Sequence, residues 1–242
     1  MSGFQGGRMF GAALVFLLVL PACTPKNKGE PKLLSLLGAD DQTTEASEGG
    51  VEKNYDALTL LRRGEKFYDK EDYLEAVGEY QRFLELHPFH RLSPYVQYKV
   101  GMAYYHQIDA LDRDQEPAEK SLAAFEKLET DFPRNLFAEQ AKAKITEVKN
   151  RLAERQLYIG KFYYKKGAYP AAIARFQKVV AQGNSVAIKG EALYYEALSH
   201  LDQGRKEEAA RLLQELLDLG PQAPFRGEAS RLLGHIRKAV PS

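Results

Sequence analysis

The chain has 242 residues, 44% of them hydrophobic and 28% charged, with 34 Lys and Arg against 33 Asp and Glu. A formal net charge of +1 excludes the basic excess of a nucleic-acid-binding domain. A single cysteine excludes an intrachain disulfide, and alone it is too little for a cysteine-based metal site.

Residues 1–8 carry Arg8 and no acid, and residues 9–20 (MFGAALVFLLVL) contain no polar side chain. That run falls short of the ~20 residues a spanning helix needs and fits the apolar core of a signal peptide. It ends Leu20-Pro21-Ala22-Cys23, which resembles the bacterial lipobox of an aliphatic residue, two mostly small residues and a cysteine. Pro21 is the less usual member. The resemblance implies a signal peptide over 1–22, cleavage before Cys23 and a diacylglyceryl thioether on that residue. No cofactor is expected beyond this covalent lipid. Residues 23–53 are polar and rich in Gly, Ser and Thr, broken only by Leu33, Leu34, Leu36 and Leu37. Their composition predicts a flexible tether, because so little apolar surface cannot offset the entropy lost on ordering.

From residue 54 onward the chain is helical and self-similar, and a repeat domain is expected over 54–240. In residues 153–186, Gly160, Tyr163, Ala172 and Phe176 stand at the spacing of a tetratricopeptide repeat, with Asn184 where proline is usual. Residues 57–90 show the pattern as Gly64, Phe67, Ala76, Tyr80 and Pro88, and residues 190–223 as Ala197, His200, Ala209, Leu213 and Pro221. Small residues sit where two helices cross closely, and large apolar ones fill the groove beside them. Residues 94–135 form the same unit, opened by Gly101 and Tyr104 and closed by Phe125 and Pro133. Here the small residue is Ser121, so an insertion around ALDRDQEPAEK occupies the turn, and Pro117 suits the first turn of the next helix.

Residues 135–152 contain no Pro or Gly, and Phe137, Ala141, Ile145, Val148 and Leu152 share one helical face. This predicts one long helix running to about Lys166, joined to the third repeat. Residues 225–239, with Leu232, Leu233 and Ile236 inward, are expected to cap the array, whose bare end would expose apolar surface. The fold expected is all-α: a right-handed superhelix of tetratricopeptide repeats, four in number, with a C-terminal capping helix.

No constellation for catalysis stands out, and the chain is not expected to be an enzyme. His87 and His90 straddle Pro88 and suit a loop better than a metal site, which would need a third ligand nearby. Glu207 and Glu208 lie among Lys and Arg, as on a solvated helix face. Binding is the remaining role. In such solenoids the first helix of each pair lines the concave surface, which selects Tyr95, Tyr98, Met102, Tyr105 and His106 in the second repeat. In the first repeat it selects Leu58, Leu61, Glu65, Tyr68 and Asp69. Aromatic rings left open there would offer contact area for an extended peptide, with Glu65 and Asp69 meeting backbone amides or basic residues. The competing reading packs the rings against a neighbouring repeat.

A lipobox, a polar tether and repeats with a charged insertion resemble the BamD family, the lipoprotein subunit of the outer-membrane β-barrel assembly machine. DRDQEPAEKSLAAF (112–125) is similar to that family's insertion, and NRLAERQLYIGKFYYKKGAYPAAIARFQKVV (150–180) to its most recognisable segment. The likeness covers roughly residues 54–240. The family carries one further repeat on the N-terminal side, the side thought to engage substrate. The resemblance implies a periplasmic, lipid-anchored protein at the outer membrane, and Thr24 after the lipidated cysteine fits that placement. It implies two partners: the periplasmic domains of the barrel-forming subunit, and unfolded β-barrel proteins. It also places Arg175 at the subunit contact. Two other classes remain: a Tol–Pal type envelope scaffold, which usually lacks a lipobox and carries a coiled coil, and an accessory lipoprotein of a secretin or glycan enzyme.

Overall fold

The computed structural model describes residues 55–108 and 114–239. The signal peptide, Cys23, the tether and the acid-rich part of the insertion up to Arg113 lie outside the described residues. The described chain is a run of α-helices: α1 (Ala57–Asp69), α2 (Tyr73–Leu86), α3 (Ser93–Tyr105), α4 (Glu116–Asp131), α5 (Ala138–Lys165), α6 (Tyr169–Gln182), α7 (Val186–Leu201), α8 (Lys206–Asp218) and α9 (Arg226–Ala239). Each packs against the helix before and the helix after it, and α5 also touches α7. This is the all-α architecture of stacked tetratricopeptide repeats.

Local chemistry sets the helix ends. Asp56 Oδ2 accepts from the backbone N–H of Leu58 at 3.2 Å and of Thr59 at 3.3 Å, capping α1. Pro94, Pro117 and Pro170 occupy the first turns of α3, α4 and α6, where a missing N–H leaves no bond unmade. Asn135 delays α5. Its Nδ2 donates to the Phe132 carbonyl at 2.5 Å and its Oδ1 accepts from Phe137 N–H at 2.6 Å, a closed turn. The long helix therefore starts at Ala138 rather than 135, and its 28 residues span about 42 Å.

The crossings repeat along the chain. A β-carbon built on Gly64, Gly101 or Gly160 would fall 2.5 Å from the ring of Tyr80, Phe125 or Phe176 respectively. In the second pair Ser121 adds a bond, donating from Oγ to the Gly101 carbonyl at 3.0 Å. Where the fourth pair crosses, Ala197 and Leu213 are both fully buried. The turns match as well. Gly167 (φ 71°) and Gly204 (φ 77°) share the fifteenth position of their repeats with Glu71 (φ 64°), a left-handed residue that is not glycine. At the C-terminal end, Leu233 and Ile236 of α9 join Leu212, Leu213 and Leu216 in one buried cluster, with Leu232 packed partly against it.

Candidate functional site

Most of the first-helix stripe of the first two repeats is built into the protein instead of lining an open groove, and only Asp69 and His106 of it are exposed. Leu61 is fully buried, Tyr95, Tyr98 and Met102 are buried, and Leu58, Glu65 and Tyr105 are half-buried. The covering residue is Phe137, just ahead of α5. Its ring stacks on Tyr98 at 5.2 Å between centroids, with 22° between planes, and tilts against Tyr95 at 5.6 Å. Of the two readings of the rings, packing against a neighbouring element is the one seen for Tyr95 and Tyr98. Phe137, the first residue of the apolar stripe that continues along α5, is thus the partner of the α3 rings.

Glu65 is likewise engaged. Its Oε1 accepts from Tyr80 Oη at 2.6 Å and from Tyr95 Oη at 3.1 Å, and its Oε2 lies 3.8 Å from Lys99 Nζ. The Lys99 ammonium sits over the Tyr68 ring, 3.1 Å from its centroid. Burial, reinforced by the Glu65 carboxylate, pushes the Tyr80 hydroxyl far above the usual phenol range, so it stays a donor. Glu65 thus ties three side chains from α2 and α3 to α1, and the reading of it as an acceptor for peptide amides gives way to this internal role. Tyr105 donates to Glu147 of α5, and Lys144 lies over its ring at 3.9 Å while pairing with Glu147 at 3.0 Å. Burial and the Glu147 bond raise the Tyr105 hydroxyl.

Arg175, on α6, is half-buried and donates to Gln156 Oε1 of α5 at 3.0 Å. Gln156 belongs to the lining of a cleft of about 500 Å³ between α4, α5 and α6, together with Glu119, Leu122, Lys149 and Leu152. An equivalent cleft of about 630 Å³ lies one repeat earlier, lined by Leu84, Glu85, Val100, Tyr104, Lys120 and Lys127. Both run between successive second helices, a side that reading the first helices alone overlooks.

A further surface comes from α5. Tyr158 and Phe162, one turn apart, are 56% and 53% exposed. Their counterparts in the second repeat, Lys99 and Ala103, are buried, and in the fourth repeat Ser199 is buried and Tyr195 half-buried. The first half of α5 packs on the second repeat, where Lys149 Nζ pairs with Glu126 of α4 at 2.9 Å. In the fourth repeat, Glu196 is 3% exposed, accepts from Gln177 at 3.2 Å, and is pushed by burial up to about 7. Burial lowers its neighbour His200. His87 and His90 are held in their loop, His87 Nε2 against the Tyr55 carbonyl at 2.8 Å and His90 Nδ1 accepting from Leu92 N–H at 3.2 Å. Among the described residues no group of three His, Cys, Asp or Glu is placed to hold a metal.

Helix pairs with small-on-large crossings, clefts between second helices and an open aromatic pair define a helical-repeat protein of the tetratricopeptide class. The family model of the outer membrane lipoprotein YfiO matches residues 65–216, and the chain belongs to that family. It is 33% identical to the outer membrane protein assembly factor BamD of Caulobacter vibrioides over 63% of this chain and 50% of that protein. It is 32% identical to the assembly factor BamD of Rickettsia prowazekii, over 66% of this chain and 64% of that one. With that of Vibrio cholerae the identity is 33%, over 47% and 51%. The chain thus spans between half and two thirds of the length of these relatives. Among solved structures, a thermophilic TPR protein in Thermus thermophilus is 19% identical, covering 74% of this chain and 99% of that one, with a TM-score of 0.29.

Proposed function

We propose that this protein is the non-enzymatic lipoprotein subunit of the outer-membrane β-barrel assembly machinery. The family match, joined by relatives that bear the name outer membrane protein assembly factor BamD, is the observation that carries the reading. In this reading acyl chains on Cys23 hold the chain at the periplasmic face of the outer membrane. Arg175 and the cleft edge at Gln156 meet the periplasmic domains of the barrel-forming subunit, and unfolded β-barrel proteins are the substrates. Arg175 suits such a contact because its guanidinium is already oriented by Gln156, so little side-chain freedom is lost on binding a carboxylate.

The test is affinity purification of the full chain from detergent-solubilised envelopes, comparing wild type, Arg175→Glu and Cys23→Ala. The barrel-forming subunit should co-purify with wild type and be depleted at least tenfold with Arg175→Glu. Cys23→Ala should leave the membrane fraction and take up no labelled palmitate. Recovery of Tol–Pal or secretin components in place of the barrel subunit would overturn the reading.

A further inference from the structure

Two loops follow the second helices of the first two repeats, and both hold an apolar side chain out in water. Phe89, between α2 and α3, is 99% exposed, and Leu136, between α4 and α5, is 88% exposed. Single exposed apolar residues are ordinary. These two are set apart by what surrounds them. The loops read HPFHRL (87–92) and FPRNLF (132–137), each with one proline, one arginine and no acid, and Arg91 and Arg134 are both exposed.

Both loops meet at the start of α3. Ser93 Oγ donates to the His87 carbonyl at 2.9 Å, fixing the first loop there, and Phe137 packs on Tyr95 and Tyr98, fixing the second. Phe89 and Leu136 therefore share one edge of the paired repeats. The turn at the opposite end of α1 and α2, Lys70-Glu71-Asp72, carries two acids and no apolar residue. Further along the chain the comparable loop aromatic is tucked in, with Phe225 stacked on Tyr194 at 4.6 Å between centroids.

We propose that this edge is a membrane-contact site: Phe89 and Leu136 enter the interfacial layer of an anionic bilayer while Arg91 and Arg134 meet lipid phosphates. Apolar tips carried on basic loops match the chemistry of such a layer, in which apolar side chains are withdrawn from water and cations are attracted to the surface. A protein partner would call for a buried anchor in a packed pocket, whereas Phe89 and Leu136 protrude almost wholly into water beside exposed arginines. Membership of an outer membrane lipoprotein family keeps a bilayer within reach. The contact would act alongside the acyl anchor and does not depend on which envelope complex the protein serves.

The chain contains no tryptophan, so one introduced indole reports on its own surroundings. The experiment uses the full lipidated chain in vesicles of phosphatidylethanolamine with phosphatidylglycerol, with probes Phe89→Trp, Leu136→Trp and, at the opposite edge, Leu74→Trp. The first two should show blue-shifted emission and quenching by brominated acyl chains, while the probe at Leu74 stays at its aqueous emission. Adding Arg91→Gln and Arg134→Gln should cut the membrane-contacting population about fivefold for each arginine lost. Vesicles of phosphatidylcholine alone should quench far less. A Phe89→Trp probe as wet as the one at Leu74, or quenching indifferent to both arginines and lipid charge, overturns the proposal. Each probed position is well exposed, so thermal melts of the three variants should match the parent.

Discussion

The ring of Phe176 lies directly on the backbone of Gly160, leaving 2.5 Å between its Cε1 and the point a β-carbon would occupy. Tyr80 on Gly64 and Phe125 on Gly101 repeat the relationship. Closeness of this kind is possible only because one partner has no side chain, and it sets how near the two helices of a pair can come.

Gly160→Val should therefore force α5 and α6 apart and destabilise the protein by about 1–3 kcal/mol through overpacking. Ala172→Trp, at a fully buried neighbouring position, should cost at least as much. Thermal melts check both, and a double-mutant cycle checks the cause: in a Phe176→Leu background the penalty for Gly160→Val should shrink. Equal penalties in the two backgrounds would place the strain elsewhere.

Glu71 adopts a left-handed backbone conformation at the position its counterparts give to Gly167 and Gly204. Glu71→Gly is thus expected to stabilise the first repeat by about 0.5–1 kcal/mol, and Gly204→Ala to destabilise the fourth by a similar amount. Chemical denaturation of the two variants should give opposite signs.

Tyr98 and Phe137 should behave as a coupled pair. Each truncation to Ala should cost about 3 kcal/mol, since both remove a ring from a packed contact. The double variant should cost less than the sum by about 0.5–1.5 kcal/mol, the range for a stacked aromatic pair. The same burial confounds any peptide-binding test that removes Tyr98, so Tyr105→Phe, which deletes only the hydroxyl bonded to Glu147, is the cleaner probe of that end of the stripe.

The repeats were legible because each crossing sets a small residue against a large apolar one, a ring in the first three pairs and Leu213 in the fourth, a demand written into Gly160, Ala172 and Phe176 alike. The long helix was legible because Asn135 to Ile159 lacks any breaker. The fate of Tyr95 and Tyr98 was not, because a helical face shows that residues point together and does not show what covers them. Their cover, Phe137, sits outside its helix in a turn made by Asn135, a bond that no periodicity reports. The clefts between second helices and the open pair Tyr158 and Phe162 escaped for a related reason: they arise from how repeats are offset, which only packing decides.

Stability should depend on pH through Glu196. Its carboxyl is raised by burial from 4.5 to about 7, with Glu215 adding to the rise while Gln177 and Arg211 oppose it. The folded state holds that proton longer than the unfolded chain, so the contribution is complete below about pH 4.5 and is lost as pH rises through about 7. His200 has the opposite sign, its pKa lowered by burial, and favours folding as pH rises toward its ordinary value of 6.5. Comparing Glu196→Gln with wild type isolates the carboxyl. The two should be nearly equal in stability at pH 4.5 and below, with the variant more stable at pH 8 by on the order of 2–3 kcal/mol. Parallel pH profiles would show that Glu196 does not bind the proton.

Repeat arrays ordinarily lengthen or shorten by whole units, since each unit touches only its neighbours. Helix α5 interrupts that freedom. Its N-terminal cap, Phe137, covers Tyr95 and Tyr98 and its first half holds Tyr105 through Glu147, while its second half carries Gly160 and the third crossing. Units could be duplicated or lost in evolution ahead of α5 or behind it, but a recombination within it would strip the cover from one repeat and the first helix from the next. Ancestry in this chain should be read as two blocks joined at a fixed seam, each free to change length on its outer side.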